Sequence, residues 1–388
     1  MSIAIEMNDF KLPRNIIRDC EYEKDLNVVL DAYFGYISKK IAGQKDSIIK
    51  IKRNINLIKE SLKMYYNGKI TSSYNCIKTV LEEYLGSPYI VAKIDENYAF
   101  RGYAPKSIRP NVYSDKQYES VYEKMLNHPL SFFKARLSAE KIDKKSMLHI
   151  PFDKRGLVAT QRFSIAGMPC LYLSTSSFGT WLELGTPEFD IFQVSAFKIP
   201  SDLKILNLCI QQHMINGISS ITGRDDEKEV VYDYLEIFPL IIATSYHVSD
   251  RNRNFKSEYI ISQLVMQVCN DLGIDGVAYF SKRIEDFYAY PQAVNLAIAI
   301  PYNQDLQYWD RAEEVFITEP IKFLDFCEMG DTNQDVENFN AYVNEIYKDS
   351  WHDEVDIAGN IMKYTKTRHS SFDEYLVKQK YFQYSKIE

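Results

Sequence analysis

Two arginines, two tyrosines, a lone glutamate and a few hydroxyls are the residues of this chain whose types could do chemistry together. Arg101 stands in the aromatic run Tyr98-Ala-Phe-Arg-Gly-Tyr103, where a charge is costly unless it is paired. Arg162 sits between Gln161 and Ser164, ahead of a turn at Gly167, and Tyr172 and Ser174 follow in an apolar run. Glu183 lies among apolar neighbours in Trp181-Leu-Glu-Leu-Gly185, and Ser281 closes Tyr279-Phe-Ser281. Two arginines can hold a pyrophosphate through their planar forks. Tyrosines can stack on a base or a nicotinamide ring. A carboxylate beside a ribose can hold its hydroxyls and favour the oxocarbenium-like state reached when a glycosidic bond breaks. Each residue also has a plainer reading: Arg101 as an edge-strand arginine, Arg162 as a surface guanidinium, Ser281 as a turn residue. Periodicity alone favours Glu183 pointing out of an amphipathic turn. Taken together, the set suggests a dinucleotide handled without a Rossmann loop.

Other chemistries find no support in the 388 residues. The chain has no GxxxxGK[ST] loop, no GxGxxG, no HExxH and no GxSxG. Its six histidines are scattered, so spacing assembles neither a metal site nor a histidine-based triad, and no metal is expected. His149, between Leu148 and Ile150, reads as a core histidine. The charge is 46 Lys+Arg against 53 Asp+Glu, a net −7, which argues against a nucleic-acid partner because such domains usually carry a basic surplus. No stretch reaches the roughly 18 uninterrupted apolar residues of a membrane helix, and the first residues do not read as a secretory signal. Six isolated cysteines fit reduced, mostly buried thiols in a cytoplasmic protein.

These residues need elements to position them. From Ile48 the apolar positions Ile51, Ile55, Ile58, Leu62 and Tyr65 step by three and four, a short heptad seam on a helix that ends near Gly68. Tyr98–Tyr103 reads as an aromatic strand and Cys170–Leu173 as a buried one. Ser176 or Ser177 can cap a short helix that ends at Gly185. Strands are expected over 189–199, 204–210, 274–281 and 294–300, with helices over 225–245 and 256–272. Beyond 330 the chain reads as acidic and helical. Pattern alone gives an α+β protein with helical flanks.

The motifs that carry these residues resemble the RES domain, a family named for an arginine, a glutamate and a serine. The resemblance rests on Arg101 in FRGYAP, on QRFSIAGMPCLYLSTSSFGTWLELG at 161–185 and on GIDGVAYFS at 273–281. It covers roughly residues 96 to 300. Members are bacterial toxins, often paired with an antitoxin, that consume NAD. The resemblance implies an ADP-ribosyltransferase-like core of curved β-sheets surrounded by helices, with NAD+ as substrate. Carried over by motif, Arg101, Glu183 and Ser281 would be catalytic, while Arg162, Tyr172, Tyr103 and Ser174 would bind NAD+. The implied reaction cleaves the nicotinamide–ribose bond and passes ADP-ribose to phosphate or water, in a toxin or defence effector.

The organisation expected is an N-terminal helical region over 1–95 for partner or homodimer contacts, a RES NAD-binding and catalytic domain over 96–330, and a C-terminal extension over 331–388. An antitoxin or regulatory protein is the expected protein partner. Two rival readings stay open at this level. One is an ADP-ribosyltransferase that modifies a protein, which Arg101, Ser174-Thr-Ser176 and Glu227-Lys-Glu229 loosely echo, although the last reads better as the acidic first turn of a helix. The other is a non-catalytic module that senses NAD or ADP-ribose.

Overall fold

The computed structural model describes residues 11–16, 18, 21–101, 130–212, 215, 225–250, 252–329, 354–357 and 359–384, the side chains of 101, 225–231 and 287 excepted. The chain opens with α1 (Tyr22–Lys40), α2 (Lys45–Tyr66) and α3 (Ile70–Glu82). The seam from Ile48 folds within α2, and its Ile51, Ile55, Ile58 and Leu62 are buried. They enter one core with α6 and α7, introduced below, and with Leu206, Val277 and Ala297 of the sheet. Polar bonds fix the packing: Tyr22 Oη donates to Ala243 O at 2.8 Å, Tyr33 Oη to Leu235 O at 2.7 Å and Asn54 Nδ2 to Glu236 O at 3.0 Å.

A short helix, α4 (Tyr98–Arg101), stands where an aromatic strand was expected. Asn97 explains the difference. Its side-chain oxygen accepts from Ala99 N at 3.0 Å and its carbonyl from Phe100 N at 3.0 Å, so the backbone is drawn into a helical turn. The later helices are α5 (Ser177–Glu183), α6 (Asp225–Thr244), α7 (Ile260–Asp271), α8 (Asp286–Ala289), α9 (Phe323–Glu328) and α10 (Arg368–Val377). From Tyr234 to Ala243 the described positions of α6 are buried all round, as expected of a helix enclosed on every side.

The strands are β1 (Arg14–Asn15), β2 (Val91–Lys93), β3 (Phe132–Leu137), β4 (Cys170–Ser174), β5 (Phe192–Lys198), β6 (Lys204–Leu208), β7 (Tyr246–His247), β8 (Gly276–Phe280), β9 (Val294–Ala299), β10 (Phe316–Ile317), β11 (Ile321–Lys322), β12 (Glu354–Ile357), β13 (Asn360–Lys363) and β14 (Phe382–Gln383). A mixed ten-stranded sheet runs β14-β10-β5-β3-β4-β9-β8-β6-β2, with β11 also on β5. β6 and β8 pair parallel, with α6 and α7 in the connection between them. The protein is therefore α+β: a large mixed sheet with helices packed against it. Beyond 330, where a helical tail was expected, the described residues hold the β12–β13 hairpin and β14 as well as α10.

Helix α10 closes over α5 through a sealed polar cluster. Asp373 accepts from Ser177 N at 2.8 Å and from Tyr364 Oη at 2.5 Å, and Ser177 Oγ lies 3.1 Å from His369 Nδ1. Desolvation pushes the Asp373 carboxyl up to about 7, although the bonds from Ser177 and Tyr364 oppose it. An unfolded aspartate titrates near 3.9. Between these values the folded chain keeps a proton that the unfolded chain has released. The stabilisation from this group is thus complete below about 4 and is lost as pH rises to about 7. His369, lowered to about 3 by burial, acts with the opposite sign, losing stability as pH falls from about 6.5. An Asp373→Asn variant isolates the first effect: its melting temperature should gain on the wild type between pH 4.5 and 8. A pH-independent difference in thermal denaturation would contradict this assignment.

Candidate active site

The register of the sheet creates the floor of the site. Ser174 on β4 pairs with Asn295 on β9, and Asn295 pairs with Tyr279 on β8. Partners directly opposite project from the same face, so these three side chains form one row. Along β4 the alternation of strands places Cys170, Tyr172 and Ser174 on that face, while Leu171 and Leu173 join a core cluster with Leu296 and Ile298. Ser176 then accepts from Gly179 N at 3.0 Å and caps α5. A Cβ at Gly179 would fall inside contact distance of Ser174 Oγ, so only glycine lets α5 approach β4 this closely.

Glu183, the last residue of α5, reaches back over this row. Its Oε1 accepts from Ser281 Oγ at 2.7 Å and from Asn295 Nδ2 at 2.6 Å. The half-buried carboxylate faces a cavity rather than bulk solvent, because Ser177, Phe178, Gly179, Thr180 and Leu182 of α5 are buried and leave no broad polar face. Ser281 is fully buried and tethered by its own N–H to Ala293 O at 2.8 Å. Asn295 Oδ1 is buried with no hydrogen-bond partner. A buried acceptor left unpaired calls for an explanation, and a donor on a bound molecule would supply one.

The cavity holds about 600 Å³ and is lined by Arg162, Tyr172, Ser174, Glu183 and Asn295, among others. Its described lining carries six lysines and arginines against a single carboxylate, Glu183. In a chain of net charge −7 that is a local reversal of sign, and a cleft of one sign with low-dielectric walls concentrates ligands of the other. Two of the cations are held by neighbours: Lys282 pairs with Asp286 at 3.1 Å, and Arg283 Nη1 lies 2.8 Å from His247 Nε2. His149 also reaches the cavity wall, but it is a core histidine. Trp309 N donates to its Nε2 at 3.0 Å, which leaves Nδ1 to donate to Ile150 O at 2.7 Å. Burial lowers its pKa to about 4.

Of the residues singled out from sequence, Arg162, Tyr172, Ser174 and Glu183 line this one cavity, and Ser281 joins them through its bond to Glu183. Arg101 ends α4; its side chain and the whole of Tyr103 lie outside the described residues. Tyr172 Oη lies 3.1 Å from Ser164 Oγ. Ser174 Oγ donates to Val294 O at 3.2 Å. The sequence reading missed Asn295, although a lone amide inside the apolar run Val294–Ala299 is a signal, and it missed Lys134 and Arg136 on β3. Among the described residues no group of three or more His, Cys, Asp or Glu could hold a metal ion, and no helix is long and apolar enough to cross a membrane.

Arg162 has a structural task as well. Its Nη1 and Nη2 donate to Thr244 O at 3.0 Å and Tyr246 O at 2.7 Å, and the guanidinium lies 5.1 Å from the centre of the Tyr259 ring. Thr244 is the last residue of α6, whose final carbonyls lack partners within the helix and attract positive charge. A lysine there cannot reproduce two fixed donors. Arg162→Lys should therefore lower stability by about 1.5–3 kcal/mol, read as a drop in the denaturation midpoint. An unchanged midpoint would show that these bonds contribute nothing net.

A mixed α+β protein with an electropositive cavity around one tethered carboxylate is thus the class that fold and site define. No protein-family model matches the chain. It is similar to a protein of Bacillus subtilis (strain 168) described as "Putative toxin YopC", 30% identical over 248 residues. The match takes in 60% of this chain and 56% of that relative, so the chain spans little more than half the length of the curated protein it matches. A chain in the crystal structure of the M. tuberculosis MbcT–MbcA toxin–antitoxin complex matches over 58% of this chain and 96% of its own length. With 10% identity and a TM-score of 0.27, that likeness carries no argument.

Proposed function

We propose that the cavity binds NAD+ and that the protein cleaves the nicotinamide–ribose bond, transferring ADP-ribose to phosphate or water and so acting as an NAD-depleting toxin. The observation that carries this reading is the Glu183 carboxylate, fixed by Ser281 and Asn295 and the one carboxylate in the described lining of a cavity that also carries six lysines and arginines. NAD+ carries a pyrophosphate that suits such a wall and a ribose that suits such an acid. The orphaned Asn295 Oδ1 is matched by a ribose hydroxyl, and the Tyr172 ring by an aromatic base. As the glycosidic C–N bond breaks, its electron pair leaves with nicotinamide, which departs neutral. Positive charge grows on the ribose, and Glu183 stabilises it from a preorganised position. An oxygen of phosphate or water then forms the new bond at the same carbon, and when water is the acceptor its proton is released to solvent. The description of the Bacillus subtilis relative supports the toxin part of the reading, and a toxin of this kind implies an antitoxin or other regulatory protein as partner.

Induced expression in a bacterial host tests this directly. Cellular NAD+ should collapse and growth should arrest with the wild-type chain, and both effects should disappear with Glu183→Gln at equal protein level. Growth arrest with NAD+ intact would sink the proposal.

A further inference from the structure

A second cavity, of about 900 Å³, adjoins the first. His247, Lys282 and Arg283 line both, so the two spaces meet at a partition in which Arg283 Nη1 donates to His247 Nε2 at 2.8 Å. The partition stands next to the proposed chemistry. Lys282 and Arg283 directly follow Ser281, whose hydroxyl donates to Glu183. Helix α5 divides in the same way: Thr180 and Glu183 line the first cavity, Trp181 and Leu182 the second. Strand β1 and the β12–β13 hairpin supply further walls, through Asn15 and Asp356.

The lining of this cavity differs in kind from that of the first. Its described cations are Lys11, Arg14, Lys282 and Arg283, and the acids Glu285 and Asp356 stand among them. Three of the four cations have a carboxylate within reach: Lys11 pairs with Glu285 at 2.5 Å, Arg14 with Asp25 at 2.6 Å and Lys282 with Asp286 at 3.1 Å. Charges neutralised in this way do not concentrate an anion as a cleft of one sign does. Between them lie the apolar surfaces of Pro13, Trp181 and Ile284, with the Asn15 amide and the Thr186 hydroxyl on exposed residues. An indole surface with an amide and a hydroxyl beside it suits a neutral aromatic carboxamide.

We propose that the second cavity is a binding site for nicotinamide, the neutral aromatic amide released in the reaction proposed above, on which this inference rests. A cavity of about 600 Å³ is of the size that encloses most of a single ligand. Once the glycosidic bond breaks, ADP-ribose still occupies it, and the acceptor needs the space that the base vacates. A second cavity behind the His247–Arg283 pair, close to Ser281 and Glu183, receives the leaving group without displacing ADP-ribose.

Saturation-transfer NMR on the full chain tests this with nicotinamide itself as the probe. The protein is the Glu183→Gln variant saturated with NAD+, so that the first cavity already holds a nicotinamide ring and added nicotinamide has to bind elsewhere. A saturable signal should appear. Its affinity should fall about tenfold or more when Asn15→Trp or Thr186→Trp is added to fill the second cavity, while NAD+ affinity is kept. No signal, or an affinity that both fillers leave unchanged, overturns the site. A second measurement needs no filler and no NAD+. Trp181 lines the second cavity and not the first, so in protein labelled with 5-fluorotryptophan its fluorine resonance should shift as nicotinamide is added. A resonance that stays in place overturns the site even if a filler has disturbed the fold. The two readings fail separately. Wild-type protein that shows the Trp181 shift and yet leaves NAD+ intact would end the NAD-cleaving reading and keep the site. NAD+ cleavage without that shift would do the reverse.

Discussion

Glu183→Gln should release nicotinamide from NAD+ at least about 10²-fold more slowly than the wild type, while folding and binding NAD+ as before. The substitution is close to isosteric, and a glutamine Oε1 can still accept from Ser281 Oγ and Asn295 Nδ2, two of the bonds that hold the carboxylate, at 2.7 and 2.6 Å. The negative charge is removed, and the second carboxylate oxygen becomes an NH2 donor. A preorganised electrostatic partner of a charged transition state is typically worth about 10²–10³ in rate, which corresponds to roughly 2.7–4 kcal/mol of barrier. Loss of kcat with an unchanged melting temperature and unchanged NAD+ affinity is the pattern expected of an interaction made chiefly in the transition state. Turnover at the wild-type rate would remove Glu183 from the chemistry.

The second large effect belongs to the sheet that holds the site together. Gly276 begins β8 opposite Ile298 of β9. A Cβ built there would lie 2.5 Å from Ala297 O and 3.2 Å from Ile298 Cα. These obstacles are backbone atoms in the middle of a strand pairing, so no side-chain rotation relieves them. Gly276→Ala should cost about 3 kcal/mol or more, at or beyond the upper end for overpacked cores. It should also damage the site, because the same β8–β9 pairing sets Tyr279 against Asn295 and delivers Ser281 to Glu183. The check is the denaturation midpoint together with the rate of NAD+ cleavage. A variant as stable as the wild type would mean that β8 and β9 do not approach as described.

Local signals made much of this legible in the sequence. The apolar run at Cys170, the serine cap at Ser176 and the glycine stop at Gly185 read directly as β4 and α5, because strand alternation and helix capping are short-range physics. The seam at Ile51, Ile55, Ile58 and Leu62 read as a helix for the same reason, and the structure places it in the core shared with α6 and α7. The failures arose where another part of the chain decides. Tyr98–Tyr103 has a strand-like composition, yet the Asn97 side chain captures the following N–H and turns it into α4. Periodicity gave Glu183 a solvent face, but α10 and the sheet enclose most of α5 and its last turn opens into a cavity. Asn295, Lys134 and Arg136 belong to strands whose cavity-facing side is fixed by register with distant strands, and register is not written in any one segment. The β12–β13 hairpin lies in a stretch whose charge concealed its alternation.

Everything in the proposed reaction turns on whether this cavity breaks the nicotinamide–ribose bond of NAD+. The most direct measurement is proton NMR of NAD+ incubated with the purified full chain, run with and without inorganic phosphate. The ribose anomeric signal next to nicotinamide should disappear as free nicotinamide accumulates. The ADP-ribose product would carry phosphate at that carbon if phosphate is the acceptor and hydroxyl if water is. NAD+ that remains intact in both samples, with protein that is folded and binds it, would contradict the claim.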